Sequence, residues 1–434
     1  MNTAAPRSKL KHWRPQLISL FCLGAALAGT STHAAPAPSV RDFWIRDHKT
    51  TAGLRGSGNR TLVYVEDKLF NHGISGDFVS RLVWQLEQSP PSGAYLSDTG
   101  VVPFEERLFG ALPQRAGGDD RLIVLFADLG QNQDGLFNPL DLLSDSESMQ
   151  KFQQHSNEAN IIYVNGFRKT ESSTTGVVAR ELPLLLSATY SSKAREGWLS
   201  GVLAEGAMML SGFFGDQELV DKSLADSGRF PLISASAGSN GPQLLFSSFL
   251  LDSLPAAHNT AISALSHIDL SGRDAVEKLF QQLTEVPLNF DAIFSNFVSY
   301  VFSQSASGAA MPNAWRHSPS IRALQIAPYF TYEAGSGELS GQLAPYSFVA
   351  VDLAQELSPS AEIRVERVNP EPVLPSTTDC SKNATVLWKP VNKRRIAIYA
   401  MGCDPSSPAE MVQFRLRILD QPSLLPTSPF KILR

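Results

Sequence analysis

Long apolar runs are absent from this sequence after residue 34, which excludes a transmembrane helix from the rest of the chain. The one such run, Leu17 to Ala28, has the length of a signal-peptide core and is short for a bilayer span. Four basic residues precede it, and Thr32-His33-Ala34 offers a small-residue cleavage site. Residues 1–34 are therefore predicted to be a signal peptide and the mature protein to be exported, either to the periplasm or out of the cell. The alternative is an N-terminal membrane anchor that stays attached.

A surplus of positive charge is also absent. The chain has 37 Lys and Arg against 42 Asp and Glu, and removal of the four basic signal-peptide residues takes the net charge from −5 to −9. No basic stripe interleaved with aromatic residues is present, which argues against a nucleic-acid partner. The composition, 43% apolar and 18% charged, is that of an ordinary globular protein, and 434 residues predict two or three domains.

Cysteine is scarce. Of three cysteines, Cys22 lies in the predicted signal peptide, which leaves Cys380 and Cys403 in the mature chain. A metal site with two thiolates needs further ligands nearby, and the sequence shows none there. Two cysteines on neighbouring strands in an oxidising compartment most simply form one disulfide. A Cys380–Cys403 disulfide is therefore predicted.

Histidine pairs of the metal-binding kind are missing. Two histidines four residues apart on a helix can hold one zinc ion from the same face, but no two histidines of the mature chain have that spacing. Gly-x-Ser-x-Gly, the signature of serine hydrolases with an α/β fold, is absent as well. The six histidines that remain after cleavage are His48, His72, His155, His258, His267 and His317.

The apolar periodicity changes along the chain and predicts an α+β protein. Strand patterns come first, a helical pattern follows from 174 to about 302, and a period of two returns after about 330. Strands are predicted at 60–66, 121–127, 160–165, 362–368, 395–399 and 413–419, and helices at 78–86, 177–190, 198–210, 243–254, 276–283 and 290–302. The predicted organisation is an N-terminal spacer at 35–59, a domain of mixed sheet and helices at 60–310, and a small β-sandwich domain at 330–434.

Two segments carry a family resemblance: Gly176-Val-Val-Ala-Arg-Glu-Leu-Pro-Leu-Leu-Leu186 and Trp198-Leu-Ser-Gly-Val-Leu-Ala-Glu-Gly-Ala207. In order and spacing they resemble the hyicolysin family of bacterial zinc metallopeptidases, which has Ala-His-Glu-aromatic-Gln-His on one helix and Trp-Leu-Asn-Glu-Gly on the next. The resemblance extends over about 60–305 and is weaker in the β-domain. It implies a zincin-like fold, in which histidines grip zinc and a glutamate activates the zinc-bound water.

This chain departs from the family pattern at the metal ligands. The resemblance puts Arg180 and Leu184 at the two histidine positions, Glu181 at the general-base position and Glu205 at the third ligand position. Arginine keeps its proton at usable pH and leucine has no lone pair, so zinc is predicted to be absent. Arg180 is instead predicted to form an internal ion pair with Glu205, with Glu181 as a further neighbour. The alternative is that Arg180 points to solvent.

Pro183 is a second departure. It lies well inside the helix that the pattern predicts, where proline removes a backbone hydrogen bond and costs about 3 kcal/mol relative to alanine. A helix that carries metal ligands needs regular geometry, so Pro183 agrees with the loss of the site. The alternative is a helix that begins late, near Leu182.

Three functions are compatible with this sequence. The first is a catalytically inactive, exported metallopeptidase-like protein that binds a protein or peptide through the inherited cleft or the β-domain. The second is an active metal-dependent endopeptidase with a rebuilt site, in which Glu181 or Glu205 works with a ligand from elsewhere, such as His155. The third is a structural or adhesive envelope protein. The metal content of the purified protein distinguishes the first function from the second.

Overall fold

The protein was analysed as a computed structural model. Residues whose structure it describes are 37–90, 94–115, 119–130, 133–167, 171–188, 197–213, 217–233, 241–254, 258–306, 324–333, 337–356, 361–368, 384–402 and 411–419. The predicted signal peptide and both mature cysteines lie outside these ranges, so the signal peptide and the Cys380–Cys403 disulfide stay predictions.

A six-stranded mixed sheet forms the N-terminal part, in the order β1-β2-β3-β4-β6-β5. Its strands are β1 (Val40–Ile45), β2 (His48–Ser57), β3 (Thr61–Glu66), β4 (Leu122–Ala127), β5 (Gly135–Leu136) and β6 (Ile161–Asn165). The central strands β3, β4 and β6 run parallel and the other pairs are antiparallel. Every residue of the three central strands is buried, as expected for a sheet covered on both faces, and their predicted positions are confirmed.

The predicted spacer at 35–59 is wrong for residues 40–57, which form strands β1 and β2 of this sheet. Both strands have several exposed positions, so their sequence lacks the apolar alternation that reveals a strand. A distant side chain fixes β1: the Trp44 N–H donates to Asn157 Oδ1 at 2.7 Å, and Asn157 Nδ2 donates to the Trp44 carbonyl at 2.8 Å. The amide of Asn157 thus satisfies the backbone groups of this edge strand.

Ten helices are present in the described residues. They are α1 (Gly76–Glu87), α2 (Val101–Phe109), α3 (Asp145–Phe152), α4 (Glu171–Ser187), α5 (Gly197–Leu210), α6 (Gln217–Ala225), α7 (Gly241–Ser253), α8 (His258–His267), α9 (Gly272–Thr284) and α10 (Phe290–Ala306). Helices α5 and α7 are apolar around most of their circumference and are almost fully buried. Trp198 on α5 lies against Phe246 of α7 and Phe290 of α10, so these helices share one aromatic core. None of the described helices is long and apolar enough to cross a membrane.

Helix α4 runs without interruption from Glu171 to Ser187 and contains Pro183. The prediction that Pro183 lies inside the helix is confirmed, and the alternative of a late start near Leu182 is wrong. Because proline has no N–H, the helix lacks one backbone hydrogen bond where Pro183 would donate to the residue four positions earlier.

The C-terminal part forms two further sheets, in the orders β10-β13-β8 and β11-β12-β9-β7. The strands are β7 (Pro328–Tyr332), β8 (Glu338–Leu343), β9 (Phe348–Leu353), β10 (Glu362–Arg367), β11 (Thr385–Asn392), β12 (Arg395–Met401) and β13 (Val412–Leu419). Residues of both sheets belong to one hydrophobic cluster, including Val351, Ile398 and Phe414. The whole is therefore α+β: a mixed sheet with helices, then separate sheets.

Tyr346 joins the C-terminal sheets to the helices. Its ring packs against Phe290 and Phe294 of α10, each at a centroid distance of 5.4 Å. Arg273 Nη1 donates to its hydroxyl at 2.9 Å, and the Leu232 N–H donates to its carbonyl at 2.9 Å. Tyr346 has a φ of 54°, in the left-handed region that bulky residues rarely adopt. Contacts on all sides hold it there.

Candidate functional site

Arg180 and Glu181 form an ion pair on α4. Arg180 Nη2 donates to Glu181 Oε1 at 3.0 Å, and Arg180 Nε donates to the same oxygen at 3.1 Å. The two side chains are 22% and 10% exposed, so most of this contact is shielded from water. Consecutive helical residues point in directions about 100° apart, which means that both side chains bend toward each other to meet. Arg180 thus has a direct ionic contact with Glu181, and the predicted ion pair with Glu205 stays a prediction.

The second oxygen of Glu181 binds the backbone of the sheet edge. The Phe137 N–H, directly after β5, donates to Glu181 Oε2 at 3.2 Å. Helix α4 and β5 approach closely because Gly135 has no side chain: a Cβ there would lie 2.1 Å from Val177 Cγ1. One carboxylate oxygen of Glu181 is thus occupied by a guanidinium and the other by a backbone amide.

Glu205 lies on the neighbouring helix α5 and is 3% exposed. Burial lowers the pKa of Arg180, but the negative charges of Glu181, Glu205 and Asp134 outweigh that effect, and the pKa of Arg180 is raised above its ordinary value. Glu205 thus interacts electrostatically with Arg180, and Glu181 also accepts hydrogen bonds from it. The guanidinium is charged at every pH at which the protein is folded.

The remaining predicted residues have other surroundings. Leu184, one turn after Arg180, is half-buried on α4 and contributes no donor atom. His155, the proposed ligand for a rebuilt site, is stacked on the Trp44 ring with centroids 3.7 Å apart. Its Nδ1 is hydrogen-bonded to Asp145 at 3.0 Å. His155 thus contacts β1 and α3 rather than Glu181.

The residues at this site do not fit a zinc ion. Catalytic zinc needs three protein ligands, usually with imidazole nitrogen among them, and here the two carboxylates Glu181 and Glu205 interact with the permanently charged guanidinium of Arg180. Among the described residues, no three His, Cys, Asp or Glu side chains are grouped as metal ligands. The guanidinium of Arg180 instead neutralises buried negative charge at this site.

Glu105 on α2 is a buried carboxyl that the sequence did not indicate. It is 0% exposed, and its Oε1 accepts a hydrogen bond from Ser211 Oγ at 2.9 Å, just after α5 ends. Among the residues that the structure describes, its Oε2 has no hydrogen-bond partner. Burial raises the pKa of Glu105 well above its ordinary value, and the bond from Ser211 offsets this only in part. No local signal predicts this environment, because Glu105 and Ser211 are 106 residues apart in the sequence.

Neither the models of known protein families nor the curated proteins give a match to this chain. The likeness to hyicolysin-type metallopeptidases therefore rests on the sequence segments around Glu181 and Glu205. In the structure these segments lie on the neighbouring helices α4 and α5, and Arg180, Glu181 and Glu205 interact.

Proposed function

We propose that this protein is an exported, catalytically inactive relative of metallopeptidases that binds a protein or peptide partner at the edge strand β5, beside α4. The observation that carries the proposal is the Arg180–Glu181 ion pair at the position that the resemblance gives to a zinc ligand and the general base. A guanidinium at this position repels a dication, and it cannot release its protons to become a ligand.

Glu181 is also poorly placed to act as a base on water. Both of its oxygens already accept hydrogen bonds, one from Arg180 and one from the Phe137 N–H. A general base must be within hydrogen-bond reach of the proton that it removes, with a lone pair directed at that proton. The contacts of Glu181 are those of a structural link between α4 and the sheet edge.

Peptide binding is supported by the strand beside the ion pair. β5 pairs with β6 on one side, and in the described part of the sheet no strand lies on its other side. The edge of a sheet can bind an extended peptide through backbone hydrogen bonds. Arg180, which is 22% exposed, would then offer a positive charge next to such a peptide.

Measurements of bound zinc and of proteolytic activity test whether the site is catalytically inactive. Purified mature protein is expected to hold no stoichiometric zinc after dialysis and to leave casein uncleaved. One equivalent of retained zinc together with proteolysis that a chelator abolishes would contradict the proposal and favour an endopeptidase with a rebuilt site. The variant with Arg180→His and Leu184→His is the matched comparison, and it should bind zinc at most weakly while Pro183 remains.

Peptide capture tests the binding function. Extended peptides selected from a random library should bind the mature protein, and methylation of their backbone nitrogens should abolish binding, because it removes the donors that pair with a strand edge. Binding that is indifferent to backbone methylation argues against the β5 edge. An absence of any selected peptide would favour the structural or adhesive envelope protein.

A further inference from the structure

Strand β10 is the outer strand of the sheet β10-β13-β8. It runs antiparallel to β13, and the Val368 N–H, just after β10 ends, donates to the Gln413 carbonyl at 3.0 Å. Because hydrogen-bonded pairs alternate along an antiparallel ladder, the N–H and C=O groups of Ile363 and Val365 point away from β13. Within the described part of the chain these groups have no hydrogen-bond partner. The outer edge of β10 is therefore open to a further strand.

The side chains of β10 alternate between the two faces of the sheet. Glu362, Arg364 and Glu366 are exposed, whereas Ile363 and Val365 are half-buried and pack against the hydrophobic cluster of the two C-terminal sheets. Arg364 Nε donates to Glu362 Oε1 on the same strand at 2.7 Å. Glu366, on the same exposed face, forms no salt bridge with any described residue. The carboxylate of Glu366 is thus available to a cation from outside the molecule.

We propose that a second copy of this chain occupies the edge, so that the β10 strands of two molecules pair antiparallel about a two-fold axis. In the register centred on Val365, this residue lies opposite Val365 of the partner subunit, and their outward N–H and C=O groups bond to each other. Arg364 then lies opposite Glu366 of the partner subunit. These two residues form a non-hydrogen-bonded pair, in which opposite side chains are closest. Because of the symmetry, each dimer contains two such ion pairs.

The charges on β10 select this register among the antiparallel alternatives. Pairing centred on Arg364 would set two arginines opposite each other, and pairing centred on Glu366 would set two glutamates there, which is unfavourable in both cases. Pairing centred on Ile363 would set Arg364 opposite Glu362 but would align only residues 362–364 of the strand. A shift by one residue would exchange the apolar and the charged faces. Charged side chains commonly protect a sheet edge from pairing, whereas here they match in the longest favourable register.

Pairing would also shield the half-buried side chains of Ile363 and Val365 from water. A single short strand buries little area, so the dimer is expected to be weak and reversible. This inference does not depend on the proposed function, because β10 belongs to the C-terminal sheets and the proposed peptide site belongs to the N-terminal sheet.

Sedimentation equilibrium of the purified mature protein tests the proposal. Up to about 0.5 mM, the average mass of the wild type should rise from that of a monomer toward that of a dimer. Arg364→Glu and Glu366→Arg each set like charges opposite each other at both pairs, so each should weaken the dimer at least about tenfold. An equimolar mixture of the two variants should recover the dimer, because every glutamate at these positions then faces an arginine.

A charge reversal away from this edge is the control. Lys393 is 82% exposed in the turn between β11 and β12, and Lys393→Glu should leave the dimerisation constant unchanged. A wild type that stays monomeric over the whole concentration range would overturn the proposal. A dimer that neither edge variant weakens would also overturn it, since association would then occur elsewhere. A mixture that associates no more tightly than the separate variants would contradict the register centred on Val365.

Discussion

Helices α2 and α4 each bury a carboxyl group, and the two groups are accommodated in opposite ways. Glu181 on α4 contacts a guanidinium and a backbone N–H. Within the described part of the chain, the carboxyl of Glu105 on α2 has one hydrogen-bond partner, the hydroxyl of Ser211, and burial raises its pKa well above the ordinary value. Both are buried, and of the two only Glu181 has a cation as a partner in the described residues.

The two carboxyl groups thus differ in whether a positively charged side chain lies beside them. A buried carboxyl without a countercharge keeps its proton, whereas one beside an arginine can stay ionised. In a zinc enzyme the metal supplies that charge, and here the side chain of Arg180 supplies it.

Removal of Arg180 should have the largest effect. Arg180→Ala leaves buried carboxylates without their cation, and loss of one partner of a buried pair costs about 3–5 kcal/mol in the free energy of unfolding. Arg229→Ala is the control, since Arg229 is 75% exposed and its pair with Asp226 is solvated. That change should stay within about 0.5 kcal/mol. A thermal melt of Arg180→Ala that overlays the parent would show that the guanidinium is not needed.

Glu105→Gln should change how stability depends on pH. The folded protein keeps the Glu105 proton at pH values where the unfolded chain releases it, so the wild type loses stability as pH rises from about 4.5 to the raised pKa. Within that window the loss is about 1.4 kcal/mol for each pH unit. Glutamine carries no such proton, so denaturant titrations of the variant from pH 5 to pH 8 should show a flatter profile. Parallel profiles would mean that Glu105 is ionised in the folded protein.

Substitution of one proline on each of α4 and α2 should give a smaller difference in the free energy of unfolding. Pro183 lies inside α4, whereas Pro103 lies in the first turn of α2, where backbone N–H groups have no partner within the helix. Pro183→Ala restores a hydrogen bond and should stabilise the protein by about 2 kcal/mol, after allowance for the more flexible unfolded chain. Pro103→Ala should give no gain. Denaturant midpoints of both variants check this, and equal shifts would contradict it.

Local sequence patterns predicted those elements whose own residues form a continuous apolar run or a regular apolar period. Strands β3, β4 and β6 are continuous apolar runs, and the order of strands before helices follows from the change in period. The site residues on α4 were predicted from the family resemblance of the segments around Glu181 and Glu205. What the sequence could not show is that Glu181 is a direct partner of Arg180, because that contact depends on side-chain conformations.

Contacts between distant residues account for what was missed. Strand β1 depends on Asn157, which is 113 residues away from Trp44, and the surroundings of Glu105 depend on Ser211. Neither Asn157 nor Ser211 produces a periodic sequence pattern near the residue that it stabilises. The Phe137 N–H that binds Glu181 is likewise a backbone group, and no side-chain pattern indicates it.

A double-mutant cycle on the ion pair tests most directly whether Arg180 is the countercharge of Glu181. The four proteins are the parent, Arg180→Met, Glu181→Gln and the variant with both changes, and the measurement is the free energy of unfolding from denaturant titrations at pH 7. If the pair is coupled, the double variant should recover about 2–3 kcal/mol relative to the sum of the single losses. Losses that add to within about 0.5 kcal/mol would contradict the account, because they would show that the two side chains act independently.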